Sequence, residues 1–159
     1  MIFQLGYYKI DVDIERTRDF YQSLSEVSSG CYCGGCRNYE IAVDTLPEEV
    51  TCFFDSLGID MKKIREVYVN CSHDDKTVYY GGFYHLCGTV LEGESAWKPV
   101  NSSLSHWDEE LTYKISDNFN VSFSNACHLV EENHPLPIMQ LEIAADLPWV
   151  LEEDNPYVG

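Results

Sequence analysis

The sequence predicts an α+β fold built as one domain. Three observations carry this: apolar residues recur at helical spacing before Gly58, strict alternation takes over from Glu66, and 159 residues supply one core and too little for two. With 45% hydrophobic and 13% aromatic residues, that core has ample material. The expected domain is 1–159, an N-terminal strand and helices followed by an antiparallel β-meander sheet, with a short acidic C-terminal tail from about residue 150.

Ile2 to Val12 mixes aromatic, β-branched and polar residues as a strand does, with Phe3, Leu5 and Tyr7 on one side. Asp13 suits the N-cap of a helix whose Ile14, Phe20, Tyr21 and Leu24 share a face, and Ser28-Ser29-Gly30 follows as a loop. Arg37 to Val43 is expected to form a short helix. Thr45 and Glu48 have capping-box spacing around Pro47, Val50, Phe53, Phe54 and Leu57 repeat at helical spacing, and Gly58 supplies the stop. Asp60 to Ile64 adds a helical turn.

From Glu66 the period changes to two. Glu66 to Cys71 and Thr77 to Leu91 form a hairpin turning at Ser72 to Lys76, and Gly81-Gly82 inside its second strand implies a bulge or a close backbone approach. Trp97 to Val100 is a short strand and Asn101 to Glu110 a polar loop. Leu111, Tyr113 and Ile115, then Phe119, Val121 and Phe123, make a second hairpin around Ser116-Asp117-Asn118. Ala126 to Glu132 is expected to include a helical turn, Ile138 to Ala145 is the last strand, and the chain leaves the sheet from Leu147.

Three of the seven cysteines crowd into Gly30 to Tyr39, at Cys31, Cys33 and Cys36. Cys33-Gly34-Gly35-Cys36 is a two-residue spacer that places two thiolates about 2.3 Å from a zinc ion on a tight turn, with glycines freeing amides to face the sulfurs. Cys31 is a third candidate ligand. A tetrahedral site needs a fourth, and His85 and Cys87 are the best suppliers, because residues two apart on a strand share a face. Cys71 on the partner strand is a reserve, whereas Cys52 and Cys127 are expected to be small buried hydrophobes. A redox dithiol at Cys33 and Cys36 and plain free thiols compete with zinc. Iron–sulfur ligation does not fit the one-then-two spacing.

The net charge is −17, and residues 90 to 159 hold thirteen acids against Lys98 and Lys114. Nucleic acid is therefore not an expected partner, since phosphate binding needs clustered Lys and Arg. No stretch is long and apolar enough for a membrane span and no signal sequence is visible, so a cytoplasmic location is expected and disulfides are not. No serine elbow, P-loop, dinucleotide fingerprint, His-Glu-x-x-His helix or EF-hand loop is present. His73, Asp74 and Asp75 fit a hairpin tip, and the adjacency of Cys127 and His128 makes a thiolate–imidazole pair awkward. Eleven tyrosines exceed what a core wants, which leaves room for an aromatic surface toward a sugar, peptide or protein.

The runs Cys31-Tyr-Cys-Gly-Gly-Cys-Arg-Asn-Tyr39, Tyr79-Tyr-Gly-Gly-Phe-Tyr-His-Leu-Cys-Gly88 and Leu147-Pro-Trp-Val-Leu-Glu-Glu-Asp-Asn-Pro-Tyr157 give the chain its resemblance to a group of small uncharacterised bacterial proteins. That resemblance implies one complete unit and no particular activity. The sequence thus points first to a non-catalytic, zinc-stapled module binding a protein, peptide or small molecule through its β-face or tail. A metal-dependent enzyme with an open site, assisted by His85, Asp74 or Asp75, is the alternative, and a thiol redox protein using Cys33 and Cys36 the second.

Overall fold

The computed structural model describes residues 1–158. It has the expected α+β class, with four helices and a seven-stranded antiparallel sheet among the described residues. The single opening strand is instead a hairpin of β1 (Ile2–Leu5) and β2 (Tyr8–Val12), because Gly6 takes the left-handed conformation at φ +58 and turns the chain. Helix α1 (Ile14–Gln22) starts where expected, with the Asp13 carboxylate accepting from Arg16 N at 3.1 Å.

A single turn, α2 (Val27–Gly30), leads to the cysteine run and α3 (Gly34–Ala42). Helix α4 (Glu48–Ser56) buries Val50 and Phe54, but the expected Thr45 cap does not form. Thr45 falls in a preceding 3-10 turn and donates its hydroxyl to Ala42 O at 2.7 Å, so Pro47 occupies the cap position without a side-chain bond. Gly58, at φ +85, ends the segment where a Cβ would come within 2.7 Å of Ile14 O.

The strands that follow are β3 (Glu66–Cys71), β4 (Thr77–Glu92), β5 (Trp97–Pro99), β6 (Ser105–Trp107), β7 (Tyr113–Ser116), β8 (Phe119–Ser124) and β9 (Ile138–Pro148). The expected hairpins β3–β4 and β7–β8 pair, and β9 lies between β4 and β8 in the order β1-β2-β4-β9-β8-β7. Ser105–Trp107, expected within a loop, pairs with β5 as a separate two-stranded ribbon. The expected helical turn at Ala126 to Glu132 is irregular chain, with Leu129 at φ 51. No helix is long and apolar enough to cross a membrane.

Strands β2 and β3 share one edge of β4, β3 along Tyr79 to Phe83 and β2 along Gly88 to Glu92. The edge between them would leave backbone groups unpaired, and α1 supplies the partners. Tyr21 donates its hydroxyl to His85 O at 2.9 Å, Thr17 accepts from Cys87 N at 3.0 Å, and Asp13 N donates to Cys87 O at 2.8 Å.

Alternation gives β4 two unlike faces. Val78, Tyr80, Tyr84 and Leu86 lie opposite Leu147, Ala145, Leu141 and Met139 of β9, and this apolar layer is the core under the helices. Phe54 of α4 packs its ring on Tyr84 and Phe119 there. The other face presents Phe83 and His85 opposite Glu142 and Gln140. Gly81 and Gly82 serve close approach rather than a bulge: the register with β9 is unbroken, and a Cβ would come within 2.6 Å of the Tyr68 ring at Gly81 and 2.3 Å of Glu66 O at Gly82.

Candidate metal centre

The cysteine cluster is built on the start of α3. Cys33 is the N-cap, its Sγ accepting from Cys36 N at 3.4 Å, and the Cys31 thiol donates to the same sulfur at 3.3 Å. The Sγ atoms of Cys31, Cys33 and Cys36 all lie within 4.8 Å of one another, and all three cysteines are free. Cys31 and Cys33 are exposed and Cys36 is buried. A zinc ion with three thiolates retains one coordination position, so this donor set suits an open site rather than a closed one.

Residues far away in sequence hold the loop. Tyr80 donates its hydroxyl to Gly35 O at 2.7 Å, Gly35 N donates to the Tyr157 hydroxyl at 3.2 Å, and buried Asn38 donates to Pro148 O at 3.0 Å while accepting from Val150 N at 2.7 Å. Arg37 forms a two-pronged pair with Glu153, at 2.6 and 3.1 Å. The expected acidic tail is thus a strap over the cysteine loop. The two glycines of the loop admit that strap: a Cβ would meet Trp149 at 3.3 Å from Gly34, and Tyr157 Oη at 3.0 Å and Val69 at 3.1 Å from Gly35.

His85 and Cys87 do not join the cluster. Helix α3 packs on the face of β4 that carries Tyr80 and Tyr84, which bond Gly35 and Tyr39 respectively. His85 and Cys87 are out of phase with those tyrosines and belong to the opposite face. The expected contact of the cysteine loop with Phe83 to Gly88 is replaced by contact with Val69, Tyr80, Trp149 and Tyr157. Both ring nitrogens of His85 are engaged, Nδ1 with Glu131 Oε1 at 2.6 Å and Nε2 with Gln140 Oε1 at 3.0 Å. The buried Cys87 thiol points to Leu136 O at 3.7 Å. Cys71 is exposed on β3, Cys127 is half-buried, and Cys52, expected inside, is exposed on α4 because it lies off the Val50–Phe54 face.

Electrostatics separate Cys33 from Cys36. Burial pushes Cys33 up, but the Cys36 amide and the neighbouring thiols stabilise its anion more, and the net is a thiol held below its ordinary value. Cys36 is driven far up, by burial first and then by hydrogen bonds with Cys31 and Cys33. The helix start thus favours thiolate character on exposed Cys33 over buried Cys36. Cys31 and Cys36 also line a cleft of about 550 Å³ together with Glu131 and Arg65.

A second polar assembly is built on the face of β4 and β9 away from Tyr80 and Tyr84, and its Glu131 also borders the cleft beside the cysteines. Gln140 Oε1 accepts from His128 N at 2.9 Å, which fixes its amide, so Nε2 donates to Glu142 Oε2 at 3.1 Å and His85 Nε2 must donate to Oε1. Burial raises the Glu131 carboxyl, but the hydrogen bond and charge of His85 bring it below the usual carboxylate range. His85 is thus oriented by Gln140 at Nε2 and by Glu131 at Nδ1, with Nε2 as a donor. Sequence reasoning missed Glu131, Gln140 and Glu142. The available signal was polar residues recurring at period two among Met139, Leu141 and Ile143.

No protein-family model, no curated protein and no solved structure matches this chain.

Proposed function

We propose that this protein is a zinc-dependent binding module in which Cys31, Cys33 and Cys36 hold the ion and its fourth position takes a donor group from a ligand in the adjoining cleft. The observation that supports this is the convergence of three free thiols within 4.8 Å at a helix start, two of them exposed. An open position argues against the sealed staple that four protein ligands would make. Metal analysis of protein purified without added metal, with X-ray absorption at the zinc edge, tests the reading. One zinc per chain with three sulfur neighbours and one lighter donor is expected. Metal-free protein that takes up no zinc on titration overturns it.

A dithiol function is the second reading, favoured by the position of Cys33 on the α3 N-cap with its thiol lowered and that of Cys36 raised. Here Cys33 attacks a substrate disulfide, one substrate sulfur leaves as thiolate, and Cys36 or Cys31 then displaces the second. The protein gains a disulfide and the substrate two electrons as two thiols. Metal-free protein that forms no such disulfide with a small-molecule disulfide counts against this.

A further inference from the structure

The outer face of the sheet carries a pocket unrelated to the cysteines. Its volume is about 370 Å³, the buried Gln140 and Glu142 form its floor, and Tyr68, Phe83, Trp97 and His128 are among its other lining residues. Glu142 is only 5% exposed and Gln140 1%. Strand pairing builds this floor, since Phe83, Glu142 and Ser122 lie directly opposite one another on β4, β9 and β8. The Tyr68 wall exists because Gly81 leaves the space its ring covers.

Every hydrogen bond at the Glu142 carboxylate points toward it. Ser95 Oγ accepts from Trp97 N at 3.1 Å and donates to Oε1 at 2.6 Å; Ser122 Oγ accepts from Ala96 N at 2.7 Å and donates to Oε1 at 3.0 Å. The fixed Gln140 amide donates to Oε2. Three donors surround the group, and no Lys, Arg or His forms an ion pair with Glu142 among the described residues, although His128 also lines the pocket. The nearby His85 ring is already engaged by Glu131 and Gln140. A buried carboxylate without a counter-charge is costly, and Oε2 accepts one bond where it has room for a second.

The geometry points to an alkylammonium-binding pocket. An ammonium donates to Glu142 Oε2 at the floor, while the adjacent carbons and their spread positive charge contact the faces of Tyr68, Phe83 and Trp97, as cations do with aromatic rings. The net charge of −17 attracts cationic ligands from a distance and repels anions. A volume near 370 Å³ accepts a small amine or the end of one lysine side chain.

The test follows the Trp97 indole signal by NMR during titration with n-butylamine and, in a second arm, with Nα-acetyl-lysine methylamide. Sodium acetate and sodium chloride serve as controls. A saturable shift of Trp97 with either amine and none with the controls is expected, and the arm that binds more tightly identifies a free amine or a lysine side chain as the source. Glu142→Gln keeps the shape and removes the charge, and should weaken binding about tenfold or more. Trp97→Ala, followed at the Gln140 side-chain amide signal because the indole is gone, changes a partly exposed ribbon residue and should weaken binding with the fold intact, which keeps the test decisive should Glu142→Gln fail to fold. Absence of a saturable shift with both amines, or unchanged amine binding in folded Trp97→Ala and Glu142→Gln proteins, overturns the proposal.

Discussion

Tyr84 and His85 are neighbours on β4 and serve opposite faces of the sheet. The Tyr84 hydroxyl meets the Tyr39 hydroxyl of α3, whereas the His85 ring lies between Glu131 and Gln140. One residue of strand phase therefore separates the cysteine loop from the histidine that sequence reasoning assigned to it. His85→Ala is expected to leave zinc uptake unchanged and to destabilise the fold by about 1–3 kcal/mol, because the buried Glu131 and Gln140 side chains lose their hydrogen-bond partner. Urea unfolding and metal titration of the variant check both parts. Loss of zinc with stability retained would reverse the assignment.

Metal-free folded protein should react with iodoacetamide on the order of tenfold faster at Cys33 than at Cys36. The lowered Cys33 thiol is exposed at the helix start, while Cys36 is buried and raised. Cys87, buried and raised by burial, should stay unmodified. Peptide mapping over time gives the order, and zinc should protect the three clustered sites together.

Acid should weaken the fold before the carboxylates titrate. Burial holds His134 below its ordinary value of 6.5, so the folded state resists a proton that the unfolded chain accepts. The sign follows: this contribution is fully present above about pH 6.5 and is lost as pH falls through the lowered folded-state value. Glu131, also lowered, adds a second loss below 4.5. Thermal melts between about pH 8 and pH 5 should show the first decline, and His134→Gln should flatten it. A melting temperature independent of pH over that range, with His134 intact, would refute this.

The two central glycines of β4 should not be equivalent. At Gly82 an added Cβ meets the Glu66 carbonyl, a backbone atom within the sheet, at 2.3 Å; at Gly81 it meets the partly exposed Tyr68 ring, which can swing aside. Gly82→Ala should therefore cost about 3 kcal/mol or more and Gly81→Ala about 1 kcal/mol. Equal midpoints in urea for the two variants would contradict the close-approach explanation.

Local chemistry was enough to indicate α1, α4, the β3–β4 and β7–β8 hairpins and the crowded thiols. Asp13, the Val50–Phe54 spacing, the alternation after Glu66 and the Cys-x-Cys-x-x-Cys spacing each act over a few residues, and the structure repeats them. Local misreadings had local causes as well. Gly6 turned one expected strand into two, and Thr45 spent its hydroxyl on the preceding turn.

What the sequence determined by itself was thus the α+β class, the acidity and the convergence of Cys31, Cys33 and Cys36, because short-range periodicity and spacing contain that information. Tertiary structure alone decided which groups meet across the chain. It put Trp149, Glu153 and Tyr157 over the cysteine loop, and sent His85 to Glu131 and Gln140 rather than to the thiols. The reason is physical: strand phase and partner choice are fixed by burying one apolar face of β4 and β9 beneath the helices, and that global constraint outranks the local fitness of any histidine as a ligand.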